Sequence, residues 1–207
     1  MFLAKVFVAA LLTCFRYTIV STSSEQGCGT IPPTYDIDFT KLPQNIWFQT
    51  LHTPDEIFSN IVGCQIAENI TKIPYGVRTN LYNYYASGQM SKKFAVHNVK
   101  LSRRNVYINV GGPAYVSSML GSSEYDMNAI AEAVARGELK EETVFMTDYM
   151  TYLIVSLCNS REGKVTNSIF TTKPIMSAED ILNIRNSLIE ANAMTLLEKS
   201  NCSAIHF

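Results

Sequence analysis

Four cysteines spread over almost the whole chain, Cys28, Cys64, Cys158 and Cys202, do most to limit what this sequence can fold into. The fifth, Cys14, sits inside an apolar N-terminal block. That block runs from Val6 to Phe15 behind Lys5, and small residues follow at Ser21–Ser24. A cation, a short apolar run and small residues, in that order, read as a secretory signal peptide over 1–23. The run is shorter than the roughly 20 residues a bilayer span needs, and Arg16 interrupts it. The sequence therefore predicts a secreted, extracellular protein with no membrane span. In an oxidising compartment an even set of four cysteines predicts two disulfides, in any of three pairings. The chain has no CxxC pair, so no metal site is expected. With all four paired, no thiol remains as a nucleophile.

Charge removes another class. The 17 Lys and Arg stand against 18 Asp and Glu, and cleavage near Ser23 takes away Lys5 and Arg16, leaving −3. There is no basic stripe to hold nucleic acid. Hydrophobic residues make up 47% of the chain, enough for a sizeable core in one domain over 24–207.

From Trp47 onward, short strand-like stretches follow one another. They lie near 64–72, 76–86, 92–101 and 105–110, then 143–146, 151–158 and 167–172. Turn residues separate them, as in Pro74-Tyr75-Gly76, Ser87-Gly88 and Arg103-Arg104-Asn105. Such a succession predicts an antiparallel barrel or sandwich. Ser177-Ala178-Glu179-Asp180 reads as a capping box opening an amphipathic helix near 178–191. A second helical stretch, Asp126–Arg136, ends at Gly137 inside a long connection over 111–142. A connection of that length is often functional, as a lid or a docking surface, or it is a tolerated surface insertion.

These features in this order resemble the lipocalin family, specifically its apolipoprotein D and bilin-binding (insecticyanin-like) branch. Thr147-Asp148-Tyr149, running into a strand that ends at Cys158, is similar to the family's TDY motif between strands six and seven. Trp47 early, the late helix and the Asn201-Cys202 ending complete the likeness. Two positions depart from it. Asn45-Ile46-Trp47 lacks the family's glycine before the tryptophan, and Thr171-Thr172-Lys173-Pro174 has lysine where the family stacks arginine over it. The resemblance implies a mainly β fold: an eight-stranded antiparallel up-and-down barrel, a C-terminal helix packed outside, and a partly helical insert between strands five and six. It also implies the pairings Cys28–Cys158 and Cys64–Cys202. The implied function is extracellular binding and transport of a small hydrophobic ligand, such as a bilin, lipid, steroid or retinoid. No other cofactor is required.

A barrel of this size holds one small ligand, and alternate residues of each strand line it. If the cysteine opening strand two points outward, as in the branch, then Gln65, Ala67 and Asn69 point inward. Asn69-Ile70-Thr71 is also a glycosylation sequon, which an inward Asn69 contradicts unless the strand is bulged. Asn201-Cys202-Ser203 is a second sequon, centred on a cysteine. Tyr82 and Tyr84 on strand three and Tyr107 on strand five are candidate ligand contacts, offering flat apolar area with a polar end. Leu153 and Val155 share one face of strand seven, and His97 is a candidate partner for a bilin propionate. Trp47 is expected to plug the base first and touch ligand second. Asp148 is expected to accept hydrogen bonds from turn amides. No nucleophile–base arrangement is present, so no enzyme activity and no catalytic residue is expected. A second reading is a secreted interaction or inhibitor protein acting through the insert, with a cell-surface receptor or self-association supplying the partner.

Overall fold

The turn-bounded runs of alternating residues form one continuous antiparallel sheet in the computed structural model. It describes residues 28–54, 62–73, 75–101, 103–110, 132–133, 135–139, 141–159 and 162–205. The signal-peptide segment 1–23 and most of the 111–142 insert lie outside these residues. The strands are β1 (Trp47–His52), β2 (Val62–Ile73), β3 (Gly76–Tyr85), β4 (Phe94–Lys100), β5 (Val106–Asn109), β6 (Glu141–Thr147), β7 (Tyr152–Asn159), β8 (Lys164–Thr171) and a short β9 (Glu198–Lys199). Each of the first eight pairs with its neighbour in sequence, and β1 pairs with both β2 and β8, so the sheet closes on itself. Closure leaves no open edge among the eight. The ninth strand lies against β1 outside the ring.

Two irregularities set which side chains face in. On β2, Glu68 pairs with Asn80 and Thr71 with Arg78, so Asn69 and Ile70 together oppose Thr79. Asn69 takes φ 48, the left-handed conformation asparagine tolerates best after glycine. The extra residue moves the inward position from the odd series of Gln65 and Ala67 to Ile70, which is buried in the core. On β1 the register shifts between Gln49 and Leu51, turning Leu51 outward and His52 inward.

The predicted helix is present as α1 (Ala178–Glu190), opened by the Ser177/Asp180 capping box. Ser177 Oγ accepts from the Asp180 amide at 3.1 Å, and Asp180 accepts from the Ser177 amide at 2.9 Å. Ile184 and Leu188 pack on the outer faces of β7 and β8 against Ile154 and Ile169. All four are fully buried, each stabilising the docked helix by about 1.5–3 kcal/mol. At the described end of the insert, Arg136 donates to the Glu132 carbonyl, and Gly137 at φ 67 lets Glu138 reach back to Ala133 at 2.9 Å. That is a left-handed helix stop of the kind a C-terminal glycine provides.

Disulfides tie both tails to the wall. Cys28 bonds Cys158 on β7, and Cys64 on β2 bonds Cys202, at sequence separations of 130 and 138. Among the described residues no helix is long and apolar enough to cross a membrane.

Candidate functional site: the barrel lumen

The lumen has a dense floor. The only tryptophan, Trp47, is fully buried there, and its Nε1 donates to the Pro43 carbonyl at 3.3 Å. Phe39, in a short 3-10 turn (Phe39–Lys41), crosses beneath. Phe39, Tyr107 and Phe145 meet edge to face, with ring centroids 5.1–5.8 Å apart. Such pairs add stability beyond their buried area. Burial, with Asp36 and Tyr149 nearby, pushes the Tyr107 hydroxyl up to about 12. Leu153 and Phe170 complete the layer.

The departures from the family pattern are met by this packing. Lys173 is exposed, so no arginine-like cap stacks on Trp47 from that position. The base is held instead by the Asp148 turn and the N-terminal segment. Asp148 accepts from the amides of Met150 (2.9 Å), Thr151 (2.8 Å) and Tyr152 (3.1 Å) and from the Thr151 hydroxyl. Tyr149 Oη accepts from the Asp38 amide at 3.0 Å, fastening the 3-10 segment to the turn.

Above the floor, exposure runs opposite to the usual rule. On β7 the inward Val155 and Leu157 are half-buried, while the outward Ile154, Ser156 and Cys158 are buried. On β8 the inward Thr166 and Ser168 are half-buried, while the outward Asn167 and Ile169 are buried. Inward side chains keep accessible surface only where the interior is not filled, so unfilled space borders β7 and β8 above the floor.

Inward polar side chains, most of them buried, pair with one another between strands. Gln49 Nε2 donates to Ser168 Oγ at 2.9 Å, Gln65 Nε2 to Asn83 Oδ1 at 2.9 Å, and Thr143 Oγ1 to Asn98 Oδ1 at 3.1 Å. All six lie on inward positions of their strands. Gln65 was legible as inward from the cysteine beside it. Gln49, Asn83, Asn98, Thr143 and Ser168 were missed, although period-2 counting from Trp47 reaches Gln49 directly.

Of the predicted contacts, Trp47, Tyr107, Leu153 and Val155 come together in the interior cluster. Four others do not. Asn69 is exposed at its bulge, where its side-chain amide donates to Glu68 at 3.2 Å. Tyr82 and Tyr84 lie on the outer wall, packed with Phe48, Cys64 and Ile66. Cys64 faces outward and pairs with Tyr84, and residues paired across a ladder share a face. His97 also faces outward, between the inward Val96 and Asn98 and opposite Arg78. Burial, helped by the Arg78 charge, lowers its pKa to about 4. A neutral ring on the outer wall is placed for packing, not for a propionate in the lumen. Asn201, the second sequon residue, is exposed beside the buried Cys202.

A closed eight-stranded up-and-down barrel with a tryptophan-sealed base and α1 packed outside is the lipocalin fold. Among solved structures, the chain is similar to the cockroach allergen Per a 4, with a TM-score of 0.54 at 13% identity over 83% of this chain and 92% of that one. It is similar to the amine-binding protein of Rhodnius prolixus in its tryptamine complex, with a TM-score of 0.53 at 13% identity over 84% and 86%. Apocrustacyanin C1 gives 0.50 at 13% identity over 83% and 89%. No protein-family model matches the sequence, and no curated protein matches it.

Proposed function

We propose that this protein binds one small hydrophobic molecule in its barrel lumen and carries it outside the cell. The observation that carries the reading is the inverted exposure of β7 and β8, where inward side chains keep surface that outward ones have lost. A chain that invests two long-range disulfides and a helix in its outer wall, yet leaves its interior unfilled, keeps that space for something else. The N-terminal block and the even cysteine set support secretion, and carriage follows from binding in a secreted protein.

Trp47 supplies the assay, since it forms the floor of the hollow. Hydrophobic candidates are titrated into the oxidised mature chain while Trp47 emission is followed. A double variant, Val155→Phe with Leu157→Phe, fills the hollow from its wall and is expected to weaken binding at least about tenfold while the far-ultraviolet spectrum stays native. If the filled variant binds as well as the parent, or if the parent binds nothing in the panel and purifies with no hydrophobic species, the lumen is not the binding site.

A further inference from the structure

We propose a second binding site, on the outside of the barrel's closed end, for a small molecule that carries an anionic group on a flat apolar body. The site is separate from the lumen and does not depend on the lumen reading. A cleft of about 700 Å3 lies where segment 36–39 meets the β2–β3 and β4–β5 turns. Cavities that hold small organic ligands span roughly 300–1,000 Å3, so the cleft is large enough for a ring system. Phe39, Val99 and Tyr107, all buried, give it an apolar back wall. Neither Trp47 nor any residue of β7 or β8 lines it, so the aromatic base layer separates it from the space beside those strands. At its rim Tyr75 is 59% exposed and offers a flat face on which a ring can stack.

Charge decides what kind of molecule fits. Lys72 and Lys100 stand on the rim, both exposed. Two carboxylates share that rim, and both are engaged. Asp36 pairs with Lys100 at 2.7 Å; that bond and the Asn105 amide, with Arg104 nearby, hold it below the ordinary carboxylate range. The Thr40 hydroxyl and amide, with Lys41 and Lys72 nearby, do the same for Asp38. Four cations therefore surround two carboxylates, a surplus of two positive charges (4 − 2) on a mature chain of net −3. Asp148, on the β6–β7 turn, spends its carboxylate on its own turn amides, and counting it still leaves a surplus of one. A local positive surplus beside low-dielectric walls attracts an anion, and the apolar wall and Tyr75 take the rest of the molecule.

The test uses two fluorescent probes with the same rings: 8-anilinonaphthalene-1-sulfonate and its neutral analogue N-phenyl-1-naphthylamine. Each is titrated into the oxidised mature Val155→Phe/Leu157→Phe variant, whose lumen is filled. The sulfonate is expected to bind at least about tenfold more tightly than the neutral analogue, and added salt is expected to narrow the difference. Lys72→Glu, made on that background at an exposed side chain, is expected to weaken the sulfonate at least about fivefold, because it turns the surplus at the rim negative or neutral. Lys199→Glu, equally exposed but on β9, is expected to leave it within about twofold. The site is overturned if the filled variant binds no sulfonate, if the neutral analogue binds as tightly, or if Lys72→Glu weakens binding no more than Lys199→Glu. Native mass spectrometry makes the same comparison without filling the lumen: Lys72→Glu is expected to lose one bound sulfonate that Lys199→Glu keeps, and equal counts overturn the site. Failure of the lumen reading shows separately, as hydrophobic ligands whose affinity does not change on filling.

Discussion

Replacing Asp148 by asparagine tests how the base of the barrel is held, because it removes a charge while keeping the side chain's shape. One carboxylate oxygen receives the amides of Met150, Thr151 and Tyr152, and the other receives the Thr151 hydroxyl. A hydrogen bond to a charged group contributes about 1.5–3 kcal/mol, against about 0.5–1.5 for a neutral one. Three bonds share one oxygen on a half-exposed turn, so their charge-dependent gains do not add fully. We expect a net loss of about 2 kcal/mol near neutral pH, or a fall in Tm of about 4–8 °C for a domain of this size. The pH dependence separates this cause from others. Burial alone would raise the Asp148 pKa, but the Thr151 hydroxyl and the three amides outweigh it and hold it below the ordinary 3.8. The unfolded chain therefore takes up the proton first as pH falls. The contribution is full above the unfolded value and is lost as pH drops through the lower folded one. Urea unfolding of the disulfide-intact protein, followed by Trp47 emission, should show the gap between parent and Asp148→Asn near pH 7 and its loss as pH falls below the ordinary carboxylate range. A gap that is absent near pH 7, or unchanged by acid, would refute the charge argument.

Other outcomes follow from the same geometry. Removing the Cys64–Cys202 bond with the double Cys→Ser variant reopens a 138-residue separation and should cost about 4–5 kcal/mol by the chain-entropy estimate, seen as a lower urea midpoint. Gly76→Ala would set a Cβ 2.0 Å from the Asn98 carbonyl oxygen, so β4 must move; we expect a loss of roughly 3–5 kcal/mol and weaker amide-exchange protection along β3–β4. His97 has a folded pKa of about 4 against 6.5 unfolded, so it withholds a proton that the unfolded chain binds, and stability should fall as pH drops between those values. His97→Phe should flatten that slope in thermal unfolding. Expression through a secretory pathway should add a glycan at the exposed Asn69, and Asn69→Gln should abolish the mass difference.

Much of the architecture was legible because it is local. Alternation, turn residues and the Ser177 capping box depend on neighbours in sequence, and all eight barrel strands and α1 lie close to their expected places. The site was legible only in part. Trp47, Tyr107, Leu153 and Val155 fall inside, whereas Tyr82 and Tyr84 needed a fact from another strand. Once Cys64 faces outward and pairs with Tyr84, both tyrosines must face outward too. His97 shows the same dependence: β4 shares its face with Arg78 through register, not through its own sequence.

What the sequence determined by itself is the set of strands, the helix and the even cysteine count, since each follows from residue types at short range. Only the tertiary structure decided which way the strands face. A single extra residue at Asn69 reverses the parity of β2, and another on β1 sends His52 inward, because side chains alternate with a period of two and one residue is half a period. It alone also revealed the unfilled space beside β7 and β8. Emptiness belongs to no residue; it is what eight walls and an aromatic floor leave between them.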